Sequence, residues 1–526
     1  MPRAARVSGD ELRRLPNMPP RNPWLADSVY PTSHFNPAAT DSVLHAGPTQ
    51  GRQLTRDGTH AVHNVLVSNP AIKKIGKDTV AFASGTLGIL KLLLTGSALE
   101  TLGFTPYPGL ERQAQKAGPE AIDSLVQAWN AARRAKNDAR LLDAISHIEG
   151  LGVNFRTGGN GSYNLFDRDG FHYCVYDGTR VLKSTDDNVA REPVRVVKSV
   201  DVADAMPPQI AMAVTRIVGL AMTYDGFIAA AAPGALVILD RDLEVRSFAA
   251  FSDEAVENSI AIDEKGGIYV VTSRRMHKIS WNGEQLSVDE RRGAWAAGYE
   301  WTPDDRVLAM GSISRGSGTT PVLMGFGDDS DKLVIIADGA EAGTNLVAFW
   351  RDGIPEDFEQ KPGTKSRRIA DQVRIDISTL TIEPSPNVLG YGVAVLNSTY
   401  PRPIPQSGFA NAFTAGITRP APLGIQKFTW NTQSRRFDRT WINAAVDNSD
   451  MMVPVVSAAT GMLYAAHKQN GVYQYLGIDW ITGEIMARWI CPDDSCIWNA
   501  FGGVTIILEN GDMLIGGAFA IKRVIA

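Results

Sequence analysis

Residues 258–286 read NSIAIDEKGGIYVVTSRRMHKISWNGEQL, and their pattern decides the fold. Two apolar runs, SIAI and GIYVV, flank a turn that contains Gly266, and the run after them alternates apolar with polar side chains. Continuous apolar runs are typical of strands buried on both faces, whereas alternation is typical of a strand that meets water on one face. Glycine supplies the positive φ that a tight hairpin turn requires. The stretch therefore predicts three antiparallel strands, of which the first two are buried.

The same pattern recurs along the chain. Four further copies begin at Ser162, Ile217, Val455 and Gly502. Three weaker copies span residues 69–104, 321–350 and 369–441. Repetition at about 40 to 50 residues is typical of the blades of a β-propeller. The 49 glycines, 29 prolines and 21% charged residues agree with many short strands joined by turns. We therefore expect an all-β protein, a β-propeller of about eight blades, with about seven as the alternative.

The last repeat supplies only three strands before Ala526. A sheet edge left without a partner invites association with other chains, and a closed propeller avoids it. We expect residues 63–68 (HNVLVS), from the N-terminal region, to complete this blade and close the ring by pairing with the C-terminal strand.

A helical insertion interrupts the repeats at residues 109–150. Ile122, Val126 and Trp129 follow one another at helical spacing, and Pro119 suits the first turn of a helix. Two placements are open from the sequence: the insertion caps one mouth of the propeller channel as a lid, or it packs on the rim.

An N-terminal arm, residues 1–61, precedes the propeller of residues 62–526. It is rich in proline and polar side chains but carries Trp24, Tyr30 and Phe35 as apolar anchors. Such anchors predict an arm that packs across the propeller instead of extending into solvent.

Composition limits the partners and the compartment. A net charge of −5 and a pI near 6.0 leave no surplus of positive charge for the phosphates of a nucleic acid. No stretch reaches the ~20 apolar residues of a membrane-spanning helix. The three cysteines, Cys174, Cys491 and Cys496, are too few for a disulfide framework. We therefore expect a cytoplasmic protein without nucleic-acid or membrane partners, and the oligomeric state stays open.

The segment VYQYLGIDWITGEIMARW, with Asp479 and the run Thr482, Gly483 and Glu484, resembles the D-x-x-TG-E turn of quinoprotein-like, pyrroloquinoline-quinone-type propeller repeats. The segment ENSIAIDEKGGIYV is similar to repeats of gluconolactonase and strictosidine-synthase-like propellers. The resemblance spans residues 69–526 and implies a fold, not an activity. The adjacent cysteine pair and export signal of quinone-dependent dehydrogenases are both missing, which argues against bound pyrroloquinoline quinone.

Candidate site residues follow from propeller geometry. The first strand of each blade lines the central channel, so polar residues where these strands begin converge although they are far apart in sequence. We assign substrate binding to Asn164, Asn387, Asn499 and Trp498. The lactonase-like relatives imply a divalent metal such as Ca²⁺, for which the candidate ligands are Glu257, Asn258 and Asp450. Glu257 and Asp450 are also candidate catalytic bases. The alternative is that these residues only form turns where strands begin.

Histidine is scarce, yet four of the eight histidines fall in or next to the N-terminal arm: His34, His45, His60 and His63. Histidine is the usual proton carrier near neutral pH. We take His34 as a candidate catalytic residue on an arm folded over the channel. Ordinary loop histidines are the alternative.

The leading hypothesis is an enzyme that acts on a small organic molecule in the central channel, by metal-assisted hydrolysis or by isomerase or lyase chemistry. The first alternative is a non-catalytic propeller that binds protein partners. The second is a quinone-dependent oxidoreductase, in which Trp480 or Trp498 would form a flat aromatic slot.

Overall fold

The computed structural model describes residues 16–67, 69–150, 162–303, 314–378, 380, 382–402 and 408–526. Within these ranges the strands form eight sheets, which we number in chain order by their first strand. The N-terminal strands β1 (Ser42–Val43), β2 (Arg52–Gln53) and β3 (Thr59–Val67) join sheets 7 and 8.

Sheets 1 to 4 come first along the chain. Sheet 1 contains β4 (Ala71–Ile75), β5 (Asp78–Ser84), β6 (Gly88–Leu93) and β7 (Glu100–Pro106). Sheet 2 contains β8 (Asn164–Phe166), β9 (His172–Tyr176), β10 (Arg180–Thr185) and β11 (Arg195–Asp201). Sheet 3 contains β12 (Gly219–Met222), β13 (Ile228–Ala232), β14 (Ala235–Leu239) and β15 (Val245–Ala250). Sheet 4 contains β16 (Val256–Ile262), β17 (Gly267–Thr272), β18 (Arg275–Trp281), β19 (Leu286–Ser287) and β20 (Trp295–Gly298).

Sheets 5 to 8 complete the set. Sheet 5 contains β21 (Val322–Met324), β22 (Leu333–Ala337), β23 (Asn345–Trp350) and β24 (Ile369–Arg374). Sheet 6 contains β25 (Asn387–Leu389), β26 (Gly392–Leu396), β27 (Leu423–Asn431) and β28 (Arg436–Asp447). Sheet 7 contains β29 (Val455–Ser457), β30 (Met462–Gln469), β31 (Val472–Asp479) and β32 (Ile485–Ile490), flanked by β1 and β2. Sheet 8 contains β33 (Thr505–Ile507), β34 (Met513–Ile515) and β35 (Gly517–Val524), followed by β3.

Apart from the N-terminal strands β1, β2 and β3, each sheet is built from strands that follow one another in the chain and pair antiparallel, and its first strand lies at one end of this series. From sheet 1 to sheet 4 and from sheet 5 to sheet 8, the first strands of successive sheets are neighbours: β8 lies between β4 and β12, and β25 lies between β21 and β29. Sheets that each meet the next sheet through their first strands define a β-propeller. The all-β class and the propeller fold expected from the sequence are confirmed.

Burial along the strands follows the pattern read in the sequence. Every residue of β13 and β14 is buried, whereas β15 alternates between half-buried and exposed positions. The inner strands are apolar because neighbouring sheets cover both of their faces. The outer strand meets water on one face, so its polar residues occupy alternate positions.

One blade boundary differs from the expectation. The interval 369–441, taken as one repeat, is divided between two sheets: β24 is the last strand of sheet 5, and sheet 6 begins at Asn387. β24 pairs with β23 across the long connection between residues 351 and 368. The sequence did not reveal this pairing because an outer strand carries only a short apolar run.

The N-terminal region contributes the outer strand of sheet 8. β3 pairs antiparallel with β35, with Thr59 opposite Val524 and Val67 opposite Gly517. The segment expected to pair there, 63–68, is part of β3 except for Ser68, which lies outside the described residues.

Three helices lie between sheets 1 and 2: α1 (Glu111–Lys116), α2 (Pro119–Arg134) and α3 (Asp138–Gly150). Shorter helical segments in the described part of the chain are α4 (Pro208–Ala211), α5 (Gly408–Thr414) and two 3-10 turns at Glu290–Arg292 and Cys496–Trp498. The α2 side chain Trp129 is fully buried and meets Phe413 of α5 at a ring-centroid distance of 4.6 Å. Helices α2 and α3 thus pack on sheet 8 and on the connections within sheet 6 and between sheets 7 and 8.

None of the helices in the described ranges is long and apolar enough to cross a membrane.

Arg523 connects sheet 8 to sheet 1. It is buried on β35, pairs with Asp512 (Nη2–Oδ2 2.7 Å) and donates to the carbonyls of Leu94 (2.7 Å), Gly96 and Ala98 in the loop that follows β6. Removal of one partner from a buried ion pair leaves the other charge without compensation.

We predict that Arg523→Met lowers the free energy of unfolding by about 3 kcal/mol or more, because Asp512 and three carbonyls lose their donor together. Denaturant titration followed by tryptophan fluorescence measures the change. The matched control is Arg291→Met, since Arg291 is 89% exposed in its ion pair with Asp289 and its removal should leave the transition unchanged. Equal effects of the two substitutions would contradict the connecting role.

Candidate functional site

The N-terminal arm runs along the first strands of the sheets. Its backbone carbonyls accept hydrogen bonds from amides in six of these strands. The carbonyl and amide pairs are Tyr30 with Ile72 (2.8 Å), Pro31 with Phe166 (2.8 Å), Pro37 with Ile262 (2.7 Å), Ala38 with Leu323 (3.0 Å), Thr40 with Val388 (2.9 Å) and Asp41 with Val456 (3.0 Å).

The arm contacts the first strands of the two other sheets, sheets 3 and 8, through hydrogen bonds of its side chains. The amide of Asn22 donates to the Met222 carbonyl in sheet 3 (2.9 Å), and the His45 ring lies 2.7 Å from the Ile507 carbonyl in sheet 8. The arm therefore contacts the first strand of every sheet. The arm thus lies along the free edges of these first strands.

Aromatic side chains hold the arm in place. The Trp24 ring lies between the guanidinium groups of Arg168 (3.5 Å) and Arg241 (4.7 Å), a cation–π arrangement. Tyr30 is fully buried and packs edge-on against Phe35 at 4.6 Å. These are the three aromatic residues that the sequence marks as anchors.

A cavity of about 490 Å³ lies where the first strands begin. Every sheet contributes to its wall through residues just before or at the start of its first strand, and the arm contributes His34. The lining includes, in order of sheets 1 to 8, Asn69, Tyr163, Arg216, Glu257, Thr320, Glu383, Met451 and Phe501. Its size is within the range of about 300–1,000 Å³ found for small-molecule sites.

His34 forms a buried pair with Asp41 at this cavity. Nδ1 of His34 lies 2.9 Å from Oδ2 and 3.2 Å from Oδ1 of Asp41, whose side chain is fully buried. Burial raises the pKa of Asp41, and the neighbouring His34 opposes that rise. The other ring nitrogen, Nε2, lies 3.4 Å from Oγ1 of Thr320 in the cavity wall. The carboxylate therefore orients the imidazole toward the cavity.

Both members of this pair have strained backbones. His34 has φ 61° and Asp41 has φ 49°, in the left-handed region that side chains other than glycine seldom adopt. Such strain costs about 1–3 kcal/mol for each residue and concentrates at functional sites. The arm turns sharply at both residues, and this brings their side chains together.

Tyr163 and Asn258 lie beside the histidine. The Tyr163 hydroxyl donates to Oδ1 of Asn258 (2.6 Å), and Nδ2 of Asn258 donates to the Gly318 carbonyl (2.5 Å). Burial raises the pKa of Tyr163 well above its usual range, so the phenol keeps its proton and acts as a hydrogen-bond donor. The Tyr163 and His34 rings are 6.5 Å apart.

Glu257 and Arg216 form an ion pair in the same wall, with 3.2 Å between Nη2 and Oε2. Burial raises the pKa of Glu257, and the charges of Arg216 and Arg315 oppose the rise. Arg216 precedes β12 of sheet 3 and Glu257 is the second residue of β16 in sheet 4, so the pair bridges two neighbouring sheets.

The cavity brings together three residues singled out from the sequence: His34, Glu257 and Asn258. Asn164 and Asn387, expected to bind substrate, lie outside the lining and tie neighbouring sheets together. Nδ2 of Asn164 donates to the Asn69 carbonyl (2.6 Å), and Nδ2 of Asn387 donates to the Pro454 carbonyl (2.5 Å).

Asp450 also lies outside the cavity lining. Its Oδ1 pairs with Lys468 (2.7 Å) and its Oδ2 accepts from the Ala500 amide (2.8 Å), so Asp450 does not join Glu257 and Asn258. The three residues thus do not assemble the expected metal-ligand set. Among the described residues, no three His, Cys, Asp or Glu side chains form a group that could hold a metal ion.

The remaining candidates, Asn499 and Trp498, also lie outside the cavity lining. Both polar atoms of the Asn499 side-chain amide form hydrogen bonds. Nδ2 donates to the Cys496 and Ala518 carbonyls, and Oδ1 accepts from the Phe501 and Ala518 backbone amides. Trp498 is buried and its Nε1 donates to Asp493 (2.7 Å).

The aromatic slot expected for a quinone does not form at the cavity. Trp480 is covered by the Lys427 ammonium, 4.5 Å from its ring centre, and neither Trp480 nor Trp498 lines the cavity. Cys491 and Cys496 are buried free thiols.

Sequence reasoning missed Asp41, Tyr163, Arg216 and Thr320. Tyr163, Arg216 and Thr320 lie one to three residues before β8, β12 and β21, so a search that included every residue before a first strand would have found them. Asp41 lies seven residues after His34 within the arm, and no periodic pattern connects two residues of an irregular segment.

The fold and this site define a class of protein: a β-propeller whose N-terminal arm lies along the first strands of its sheets and whose cavity is lined by a His–Asp pair. No family model matches the chain. An uncharacterized protein of Archaeoglobus fulgidus is 32% identical over 336 residues, which cover 59% of this chain and 60% of that protein. The chain thus matches less than two thirds of the length of this relative.

Several solved β-propellers are similar in fold. The dihydro-heme d1 dehydrogenase NirN, solved in complex with DHE, has a TM-score of 0.42 and 12% identity over 91% of this chain and 83% of that chain. The WD40 domain of Neurospora crassa Pan2 has a TM-score of 0.38 and 7% identity over 68% of this chain and 86% of that chain. The similarity concerns the fold alone.

Beneath Asn499, the ammonium of Lys522 is fully buried and donates to the carbonyls of Asn499, Gly516 (3.0 Å) and Ala520 (3.1 Å). Burial lowers the pKa of Lys522 from 10.5 to about 7, with Asp450 opposing the change. Between these two values the unfolded chain binds a proton that the folded protein does not hold. Stability from this group therefore rises with pH across that window.

We predict that Lys522→Met flattens the dependence of the unfolding free energy on pH between pH 7 and 10. The slope lost is at most about 1.4 kcal/mol per pH unit, the value for one proton. Denaturant titrations at several pH values measure it, with the exposed Lys265→Met as the matched control. Identical slopes for wild type and Lys522→Met would refute the assignment.

Proposed function

We propose that the eight sheets close into a single ring and that the cavity binds a small organic molecule, from which His34 removes a proton. The observation that carries this proposal is the pairing of His34 with the buried Asp41, which directs Nε2 of the imidazole to the cavity wall. The pairing of β3 with β35 supports the closed ring.

The His–Asp pair supplies a general base. Asp41 accepts the Nδ1 proton of His34, so the neutral imidazole carries its lone pair on Nε2. When Nε2 takes a proton, the positive charge on the ring is stabilised by the Asp41 carboxylate, as in other His–Asp pairs. The buried surroundings strengthen this interaction because the local dielectric constant is lower than that of water.

Tyr163 and Asn258 supply the complementary group. As the proton leaves the substrate, negative charge develops on an oxygen of the molecule, and fixed hydrogen-bond donors stabilise that charge. The Tyr163 hydroxyl beside His34 keeps its proton and becomes such a donor when a substrate oxygen replaces Oδ1 of Asn258 as its acceptor. Isomerisation or elimination follows if the proton comes from a carbon next to a carbonyl group, and hydrolysis follows if it comes from water.

We predict that His34→Gln and Asp41→Asn abolish proton exchange between substrate and solvent. Wild-type protein in D₂O, incubated with a panel of small keto and hydroxy acids and followed by proton NMR, should incorporate deuterium next to the carbonyl of its substrate. Loss of the base lowers this rate about 100-fold or more.

His147→Gln is the control, because His147 is an exposed histidine on α3 and its substitution should leave the exchange rate unchanged. Equal exchange by wild type and His34→Gln would refute the role of His34. A wild-type protein that retains no compound in native mass spectrometry would instead favour a scaffold for protein partners.

A further inference from the structure

We infer that the cavity selects a carboxylate ligand that carries an apolar substituent, with Arg216 binding the carboxylate. This inference rests on the proposed function, since it names the class of molecule that the same cavity takes. It depends on where the charged and apolar residues lie around the ring of sheets.

Among the described residues of the lining, Arg216 is the positively charged group. About a third of its side chain is exposed (34%), against 23% for Glu257. Glu383, the other acidic residue of the lining, is 4% exposed. A ligand therefore meets a guanidinium more readily than a carboxylate.

The hydrogen bonds of Arg216 leave room for a ligand. Within the described part of the chain, its side chain makes one hydrogen bond, from Nη2 to Oε2 of Glu257. A guanidinium has five N–H donors in a planar fork that matches a carboxylate with two parallel bonds. Glu257 is thus a positioning residue: it holds one side of the fork and leaves the rest for an anion.

Four apolar residues of the lining lie on the other side of the cavity, while Ile217 and Val218 lie beside Arg216. Met451 and Val453 precede the first strand of sheet 7, and Phe501 and Val504 precede that of sheet 8. In a ring of eight sheets, sheets 7 and 8 are opposite sheets 3 and 4, which carry Arg216 and Glu257. A bound molecule therefore places a charged end at one wall and an apolar end at the facing wall.

The proton-transfer groups lie between these two walls. His34 comes from the arm in the channel, and Tyr163 comes from sheet 2, next to the sheet that carries Arg216. A carboxylate bound by Arg216 orients the molecule, so the atoms a few bonds from the carboxylate lie near the base. This arrangement assigns recognition to Arg216 and chemistry to His34.

Calorimetric titration with 4-phenylbutyrate and its neutral amide, 4-phenylbutyramide, tests the inference. The two probes share the apolar group and differ in charge. Wild-type protein should bind the acid about tenfold more tightly or better, because a hydrogen bond between two charged groups is stronger than one to a neutral amide. Arg216→Gln should bind both probes equally, and Phe501→Ala should weaken both by the same factor.

Arg246→Gln removes the same charge from an exposed position in sheet 3 and should keep the wild-type preference. His34→Gln should keep it too, so a failure of the catalytic proposal leaves this result intact. The inference is overturned if wild type binds the amide as tightly as the acid, if it binds neither probe, or if Arg216→Gln retains the preference. Circular dichroism and the thermal midpoint establish that Arg216→Gln is folded.

Discussion

The free edges of the first strands impose the constraint on which the rest of the structure depends. In a propeller these edges face the channel, and each carries backbone amides and carbonyls that need partners when water is excluded. The arm supplies carbonyls to amides in six of the eight first strands. A segment of irregular backbone thus completes the hydrogen bonding of regular strands, and this ties the N-terminal residues to sheets from the whole length of the chain.

The route of the arm also determines where the His34–Asp41 pair lies. To pass from one first strand to the next, the arm turns tightly, and it does so with left-handed residues at His34 and Asp41. The hydrogen bonds on either side of these turns stabilise the strained backbone. One segment therefore covers the free edges of the first strands and holds His34 at the cavity, so packing of the arm and assembly of the cavity wall are coupled.

Much of the fold could be predicted because its signals are local. Apolar runs and glycine turns mark the strands, and Trp24 and Tyr30 mark the arm as a packed segment. The rule that polar residues converge where first strands begin selects Glu257 and Asn258, which both line the cavity. The same rule also selects Asn164, whose side chain bonds to the Asn69 carbonyl of the neighbouring sheet and does not line the cavity. The sequence cannot distinguish the two cases, because the direction of a side chain depends on the neighbouring sheet. The contact of Asp41 with His34 depends on two turns without a sequence signature.

Hydrogen exchange at single amides of the first strands tests the central claim, that the arm fills the channel. The amides of Ile262, Leu323 and Val388 donate to carbonyls of the arm. The account predicts that they exchange as slowly as amides in the middle of β17, which is paired on both sides. Rapid exchange at these three amides, with β17 still protected, would contradict it, because the first strands would then face an open channel.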